Sequence, residues 1–359
     1  MSQFETDPTA INHPSNFSYT PGQDEFQINT ETVSNQILPS VTNLNDGGFL
    51  ITWSSDLQDG DSYGVYGQRY SSSGHTVGDE FQINTHTIAA QISSSVTNLS
   101  GGGFIVTWQS EYQDTSNNGI YGQLYDSSGV TIDDEFRVNT HNFMEQMWCS
   151  TAGLIDGGFV ITWASSNNQD GDDFGIFGQR YDNTGSSIGA EFQVNTYTTG
   201  MQANPSVSGL SDGGFVVAWH SHEELDSGYI IYGQRYDSSG ITAGNEFTIN
   251  SDITNSQESP SVTDLRGGGF FVAWESYNQD NDNWGIFGQR YDSIGNKENS
   301  EFQINTHWVD GQSAPSATSL RDGGFVVTWK SERQDGDDGG IYGQRYSEMG
   351  NTIGSEFQI

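Results

Sequence analysis

Cysteine and positive charge are what this 359-residue chain has least of. The single cysteine, Cys149, excludes an intrachain disulfide, so the fold forms without a covalent staple. Lys and Arg number 11 against 47 Asp and Glu, a formal net charge of −36. A field of that sign repels phosphate backbones and anionic lipid, which argues against nucleic-acid binding and against a membrane-surface role. It favours cationic partners and divalent metal. No run approaches the roughly 18 apolar residues that cross a bilayer, so membrane insertion is not expected. Helical periodicity is missing as well, because glycine interrupts every candidate window. Residues 1–20 hold neither a basic region nor an apolar run, so no secretory signal is legible there.

What is present is repetition. The word Glu-Phe-x-(Ile/Val) begins at Glu25, Glu80, Glu135, Glu191, Glu246, Glu301 and Glu356, always 55 or 56 residues apart. A period of this size marks a propeller, a solenoid or an array. In the first full copy Pro39 to Leu44 alternates, Asn45-Asp46-Gly47-Gly48 is a tight-hairpin signal, and Phe49 to Trp53 reads as a buried strand. An acidic loop then leads to Tyr63–Tyr70, and a Ser/Gly turn precedes Glu80–Asn84. Four short strands joined by turns make an antiparallel blade. The expectation is an all-β, six-bladed propeller spanning 25–359, with 1–24 as an N-terminal extension. A seven-bladed ring with an incomplete blade is the alternative. The last blade ends on Glu356–Ile359, so Glu25–Asn29 is a surplus seventh copy of the fourth strand. Either one of the two closes the ring and the other is a spare edge for self-association, or the chain is a fragment of a longer array.

In an up-and-down blade the second-to-third loops and the connectors between blades share one rim. The loops there carry Asp59 and Asp61, Asp114 and Asn117, Asp170 and Asp172, Asp280 and Asp282, and Asp335 and Asp337. Alternating carboxylates around a flexible glycine suit a hard cation, calcium first, or simply a solvated turn. The connectors and the fourth loop break the repeat with His141, Trp148, His220, His222, His307 and Trp308, and Trp284 stands in the fifth acidic loop. Aromatic rings beside carboxylates and amides suit carbohydrate: apolar sugar faces stack and hydroxyls meet fixed polar groups. His220 and His222 alternate at one strand end and can face one way. The recurring Gln before each first strand and the recurring Asn after each fourth strand read as groups that bind backbone at the connectors. Five of the basic residues are one repeated Arg (Arg69, Arg180, Arg235, Arg290, Arg345), replaced in the second copy by Leu124.

The wording Asp-Gly-Gly-Phe-Val-Val-x-Trp, Gly-Ile-Tyr-Gly-Gln-Arg-Tyr and Glu-Phe-Gln-Val-Asn-Thr resembles repeats of large secreted bacterial proteins of the RTX-type, calcium-associated adhesin group. The resemblance covers 25–359 and implies an extracellular or cell-surface, calcium-associated, adhesive role. The Gly-Gly-x-Gly-x-Asp nonapeptide array of that group is absent. Near-equal repetition with no unique catalytic constellation points to a non-enzymatic, lectin-like module for a carbohydrate or cell-surface glycan. A self-assembling structural protein and a glycan-active enzyme are the alternatives.

Overall fold

The computed structural model describes residues 25–114, 117–166, 169–222, 228–336 and 338–359. It is a six-bladed β-propeller of four-stranded antiparallel blades, each in simple sequential strand order. Blade 1 runs Gln36–Asn43, Phe49–Asp56, Tyr63–Tyr70 and Thr76–Gln82, and blade 6 ends with Gly340–Tyr346 and Thr352–Gln358. The first strand of each blade is innermost.

In blades 1, 3, 4 and 6 the hairpins form where Asp-Gly-Gly stands, and in blades 2 and 5 Gly101 and Gly267 take the Asp place. Asp46 Oδ1 accepts the Gly48 N–H at 2.9 Å, and Gly47 takes φ +85°. The second glycine has a different reason. A Cβ on Gly48 would lie 2.2 Å from the Tyr70 carbonyl oxygen of the neighbouring strand. Each first strand also carries a bulge that its composition did not announce. At Leu38, Ser93, Trp148, Asn204, Ser259 and Ala314 φ lies between 49° and 57°, and the pairing register slips there.

Alternation along the second strand divides its side chains between two junctions. In blade 4, Phe215, Val217 and Trp219 face blade 3 and pack with Val160, Ala164 and Ile176. Val216 and Ala218 face blade 5. The six repeat tryptophans stand at the fifth position of these strands and are at most 4% exposed. They are packing residues, as expected from their even distribution. Apolar clusters of this kind fill the junctions 1–2, 2–3, 3–4, 4–5 and 5–6. Cys149 belongs to the second of them, its Sγ 3.6 Å from the Ser93 carbonyl oxygen.

The polar repeat residues stitch blades together. The serine of each first strand accepts a backbone N–H from the next first strand: Ser40 from Val96, Ser95 from Thr151, Ser150 from Val207, Ser206 from Val262 and Ser261 from Ala317. Asn84 Oδ1 accepts the Val65 N–H while its amide donates to Gln91 Oε1, and Gln91 donates to the Ile88 carbonyl. The connector role read from sequence for this Asn and Gln is therefore observed. The repeat Arg reaches forward, Arg180 and Arg235 donating to the Ser238 and Ser293 carbonyls of the following blade. Where Leu124 replaces it, the Asp of the paired hairpin is replaced too, by Gly101.

Of the two competing copies of the fourth strand, the C-terminal one occupies the outer slot of blade 6. Residues 25–30 form no ladder and lie against blade 1.

Candidate functional site

The acidic loops first. Their leading Gln and the Glu of the fourth strand form one device. Gln58 donates to Glu80 Oε1 at 2.6 Å, and Glu80 Oε2 accepts the Thr30 N–H. Glu135, Glu191, Glu301 and Glu356 repeat this with Gln113, Gln169, Gln279 and Gln334. The aspartates act alongside. Asp59 and Asp170 accept from Asn84 and Asn195, and Asp280 and Asp335 accept from Gln303 and Gln358. Asp61, Asp172 and Asp282 accept the N–H of Ala89, Gly200 and Asp310, connector residues at positive φ. Asp114 pairs with Arg137 at 3.4 Å, and the Asn117 carbonyl accepts from Tyr112. Asp337, with Glu223 and Glu224 of the fourth loop, lies outside the described residues. Among the described residues no three His, Cys, Asp or Glu side chains gather as a metal-binding group. On these contacts the loops tie connectors in place, and the calcium expectation rests on the sequence alone.

The predicted ligand-binding residues divide. Trp148 packs on Phe174 with centroids 5.5 Å apart, inside its own junction. His141 and His307 accept the connector Asn amides through their carbonyls. Trp308 is 56% exposed on its connector. Trp284 packs on Tyr277 at 5.2 Å at the tip of blade 5. His220 and His222 do face one way: both rings meet Tyr229, at 4.6 and 5.2 Å.

The Tyr229 group leads to residues that the sequence reading missed. One cross-strand pair, at the rim end of the first and second strands, differs in every blade. It is Ile37 with Ser54, Ile92 with Gln109, Met147 with Ala164, Ala203 with His220, Glu258 with Glu275, and Ser313 with Lys330. Blade 5 thus sets two carboxyls opposite each other, a pairing that repels when both are ionised. Burial and the Glu275 charge raise the Glu258 pKa. Glu275 is held by the Ser259 hydroxyl at 2.9 Å and the Ala314 N–H at 2.8 Å. His220, 4% exposed, is pushed down to about 4 by burial. Neutral, its Nδ1 accepts the Ser259 N–H at 3.4 Å, next to Glu258. Burial, Glu258 and Asp173 raise the Tyr229 phenol. Along the second strand of blade 5, Glu275 and Tyr277 share a face, so the Tyr277–Trp284 pair stands beside the carboxyl pair. The signal in sequence was the position after each repeat Trp (Ser54, Gln109, Ala164, His220, Glu275, Lys330), which varies inside an otherwise repeated strand.

No protein-family model and no curated protein matches the chain. Solved structures share its fold. A protein of unknown function from Dyadobacter fermentans superposes with TM-score 0.60 at 11% identity, over 85% of this chain and 94% of that one. An α-L-arabinofuranosidase of Fusarium graminearum, in complex with an iminosugar inhibitor, gives 0.56 at 10%, over 87% and 93%. An α-L-arabinanase of Penicillium chrysogenum, complexed with arabinobiose, gives 0.53 at 13%, over 87% and 94%. At such identities the likeness is one of fold. It nevertheless corrects the non-enzymatic expectation, because propellers of this kind carry glycoside-cleaving enzymes. Equal repetition of a scaffold does not exclude an enzyme, because single positions still differ between blades, as the pair Glu258 and Glu275 does.

Proposed function

We propose that the chain acts on glycans at the rim of blade 5, between blades 4 and 6, cleaving glycosidic bonds with Glu258 and Glu275. The observation that carries this reading is the opposed carboxyl pair of blade 5, with one pKa raised and the other carboxylate fixed by two donors. A glycoside hydrolase needs that division of labour. Glu258, holding its proton to higher pH, gives it to the departing glycosidic oxygen. Glu275 attacks the anomeric carbon as that bond breaks. Water then enters, losing its proton to Glu258 and releasing Glu275. Cross-strand partners have Cβ atoms about 5 Å apart, which lets the two carboxyl groups come within the about 5–5.5 Å of retaining enzymes. Retention of anomeric configuration is therefore the expected outcome. His220 stays neutral and keeps the backbone beside Glu258 in register. Tyr229, Tyr277 and Trp284 supply the flat apolar surfaces on which sugar rings stack. The glycosidases that share the fold support the substrate class, and the extracellular setting implied by the repeat wording belongs to the same proposal.

The test is release of reducing ends from a panel of polysaccharides, arabinan included, with the product anomer followed by NMR. Wild type is expected to cleave at least one polymer with retention. Glu258→Gln and Glu275→Gln are each expected to lose on the order of 10²–10⁴-fold in rate. Cleavage unchanged in both variants, or by neither variant nor wild type on any polymer, overturns the assignment.

A further inference from the structure

The sixth junction differs from the other five. Ile341, on the face of blade 6 that points away from blade 5, is 48% exposed, whereas its counterparts Val65, Ile120, Ile176, Ile231 and Ile286 are fully buried by the blade that follows. Phe357 is 43% exposed. Its counterparts Phe81, Phe136, Phe192, Phe247 and Phe302 each lie 5.4 to 6.0 Å from a tyrosine of the next blade. On the opposite side of the gap, Val41 of blade 1 is 64% exposed, against 7% for Val96, Val207 and Val262. The blade 1 tyrosine that Phe357 would meet is already taken, because Phe26 packs on Tyr70 at 5.7 Å and 60°.

Residues 25–30 make the forward contacts of a fourth strand without its ladder. Phe26 on Tyr70 repeats Phe81 on Tyr125, at 6.0 Å and 62°. The Thr30 N–H reaches Glu80 Oε2 at 2.7 Å, as the Thr85 N–H reaches Glu135. Asn29 donates to Gln36 Oε1 at 3.1 Å, as Asn84 does to Gln91. In the five true junctions the segment with these forward contacts is also paired to the third strand of the blade before it, Gln82 opposite Tyr66 and Phe81 opposite Gly67 in blade 1. We propose that the exposed face of blade 6 is the docking surface for this segment carried on blade 1, and that residues 25–30 replace Thr352–Gln358 in the outer slot of blade 6 to close the ring.

The slot and the segment match residue by residue. Gln27 comes opposite Tyr342, and Phe26 opposite Gly343. Gly343 lacks the Cβ that would stand 2.9 Å from the Phe357 ring now lying over it, so the slot takes one phenylalanine. Asn29 Oδ1 becomes the acceptor for the Ile341 N–H, the part Asn84 plays for Val65. Ser316 comes to the Val41 N–H, as Ser40 comes to Val96. One slot holds one strand, so the two arrangements exclude each other, and closure frees Thr352–Gln358.

The test uses the full chain in a Cys149→Ser background. Gln27→Cys with Tyr342→Cys is oxidised mildly and compared with Tyr342→Cys with Gln358→Cys. A within-chain disulfide in most molecules of the first variant, with the C-terminal strand then cut away readily by protease, is the expected result. A first variant that stays reduced while the second oxidises fully overturns the proposal, and so does a disulfide between chains. Hydrogen exchange of the unsubstituted chain gives a reading that no substitution can disturb. Amides of 25–30 protected as well as those of 80–85 support closure, and exchange at the rate of free chain rules it out.

Discussion

Glu258 and His220 answer pH in opposite directions. The Glu258 pKa is raised in the folded state, so the native chain binds more protons than the unfolded chain around the carboxyl range. Its burden on stability is absent at low pH, grows as pH rises through that range, and is full at neutrality. Glu258→Gln is therefore expected to unfold at a higher temperature than wild type at neutral pH and at no higher temperature well below pH 4. Thermal melts at the two pH values check this, and an equal shift at both contradicts it. His220 runs the other way. With its pKa lowered from 6.5 to about 4, its linkage cost is nil above pH 6.5 and grows to about 3 kcal/mol on descent to pH 4. Urea titrations should show His220→Gln lacking that portion of the wild-type decline. Parallel curves for the two proteins would mean that the histidine is not buried neutral.

At the scale of elements, two glycines of one blade test different physics. Gly158→Ala sets a Cβ 2.3 Å from the Tyr181 carbonyl oxygen, so the strand must move, at a cost of about 1–3 kcal/mol. Gly189→Ala meets nothing within 4 Å, but its φ is +72°, so the cost is that of a left-handed alanine, about 1 kcal/mol. Chemical denaturation of the two variants should rank them in that order. Much of this level was legible. Asp-Gly-Gly wrote the hairpins, the Trp period wrote the second strands, and alternation wrote the buried faces. The first-strand bulge was not, because Leu38, Ser93, Trp148, Asn204, Ser259 and Ala314 share a backbone conformation and no side-chain property. The site was half legible. His220 and His222 stood out as interruptions of the repeat, and Tyr229 followed from their geometry. Glu258 and Glu275 sat among 47 acidic residues, and only strand register sets them opposite each other. The acidic loops drew attention by composition, yet the contacts found there tie connectors and fourth strands in place.

For the whole molecule, charge and closure dominate. A net charge of −36 acts against compactness, and salt screens it within a Debye length of about 10 Å at 0.1 M. The melting temperature is expected to rise from low salt to 0.5 M sodium chloride; a fall would place the net electrostatic balance in the local ion pairs instead. The scaffold repeats so closely that five junctions are nearly interchangeable, and individuality is left to the rim pairs. Such an arrangement lets chemistry change in one blade without disturbing the packing of the others.

The location of a bound sugar bears on the rim assignment more directly than any rate. Crystals of Glu258→Gln, soaked with the oligosaccharide that wild type releases, should show a ring on Tyr229 or on the Tyr277–Trp284 pair, with its anomeric carbon facing Glu275. Density for that sugar at the hairpin rim or along an outer strand, with blades 4 and 5 bare, would contradict the assignment outright.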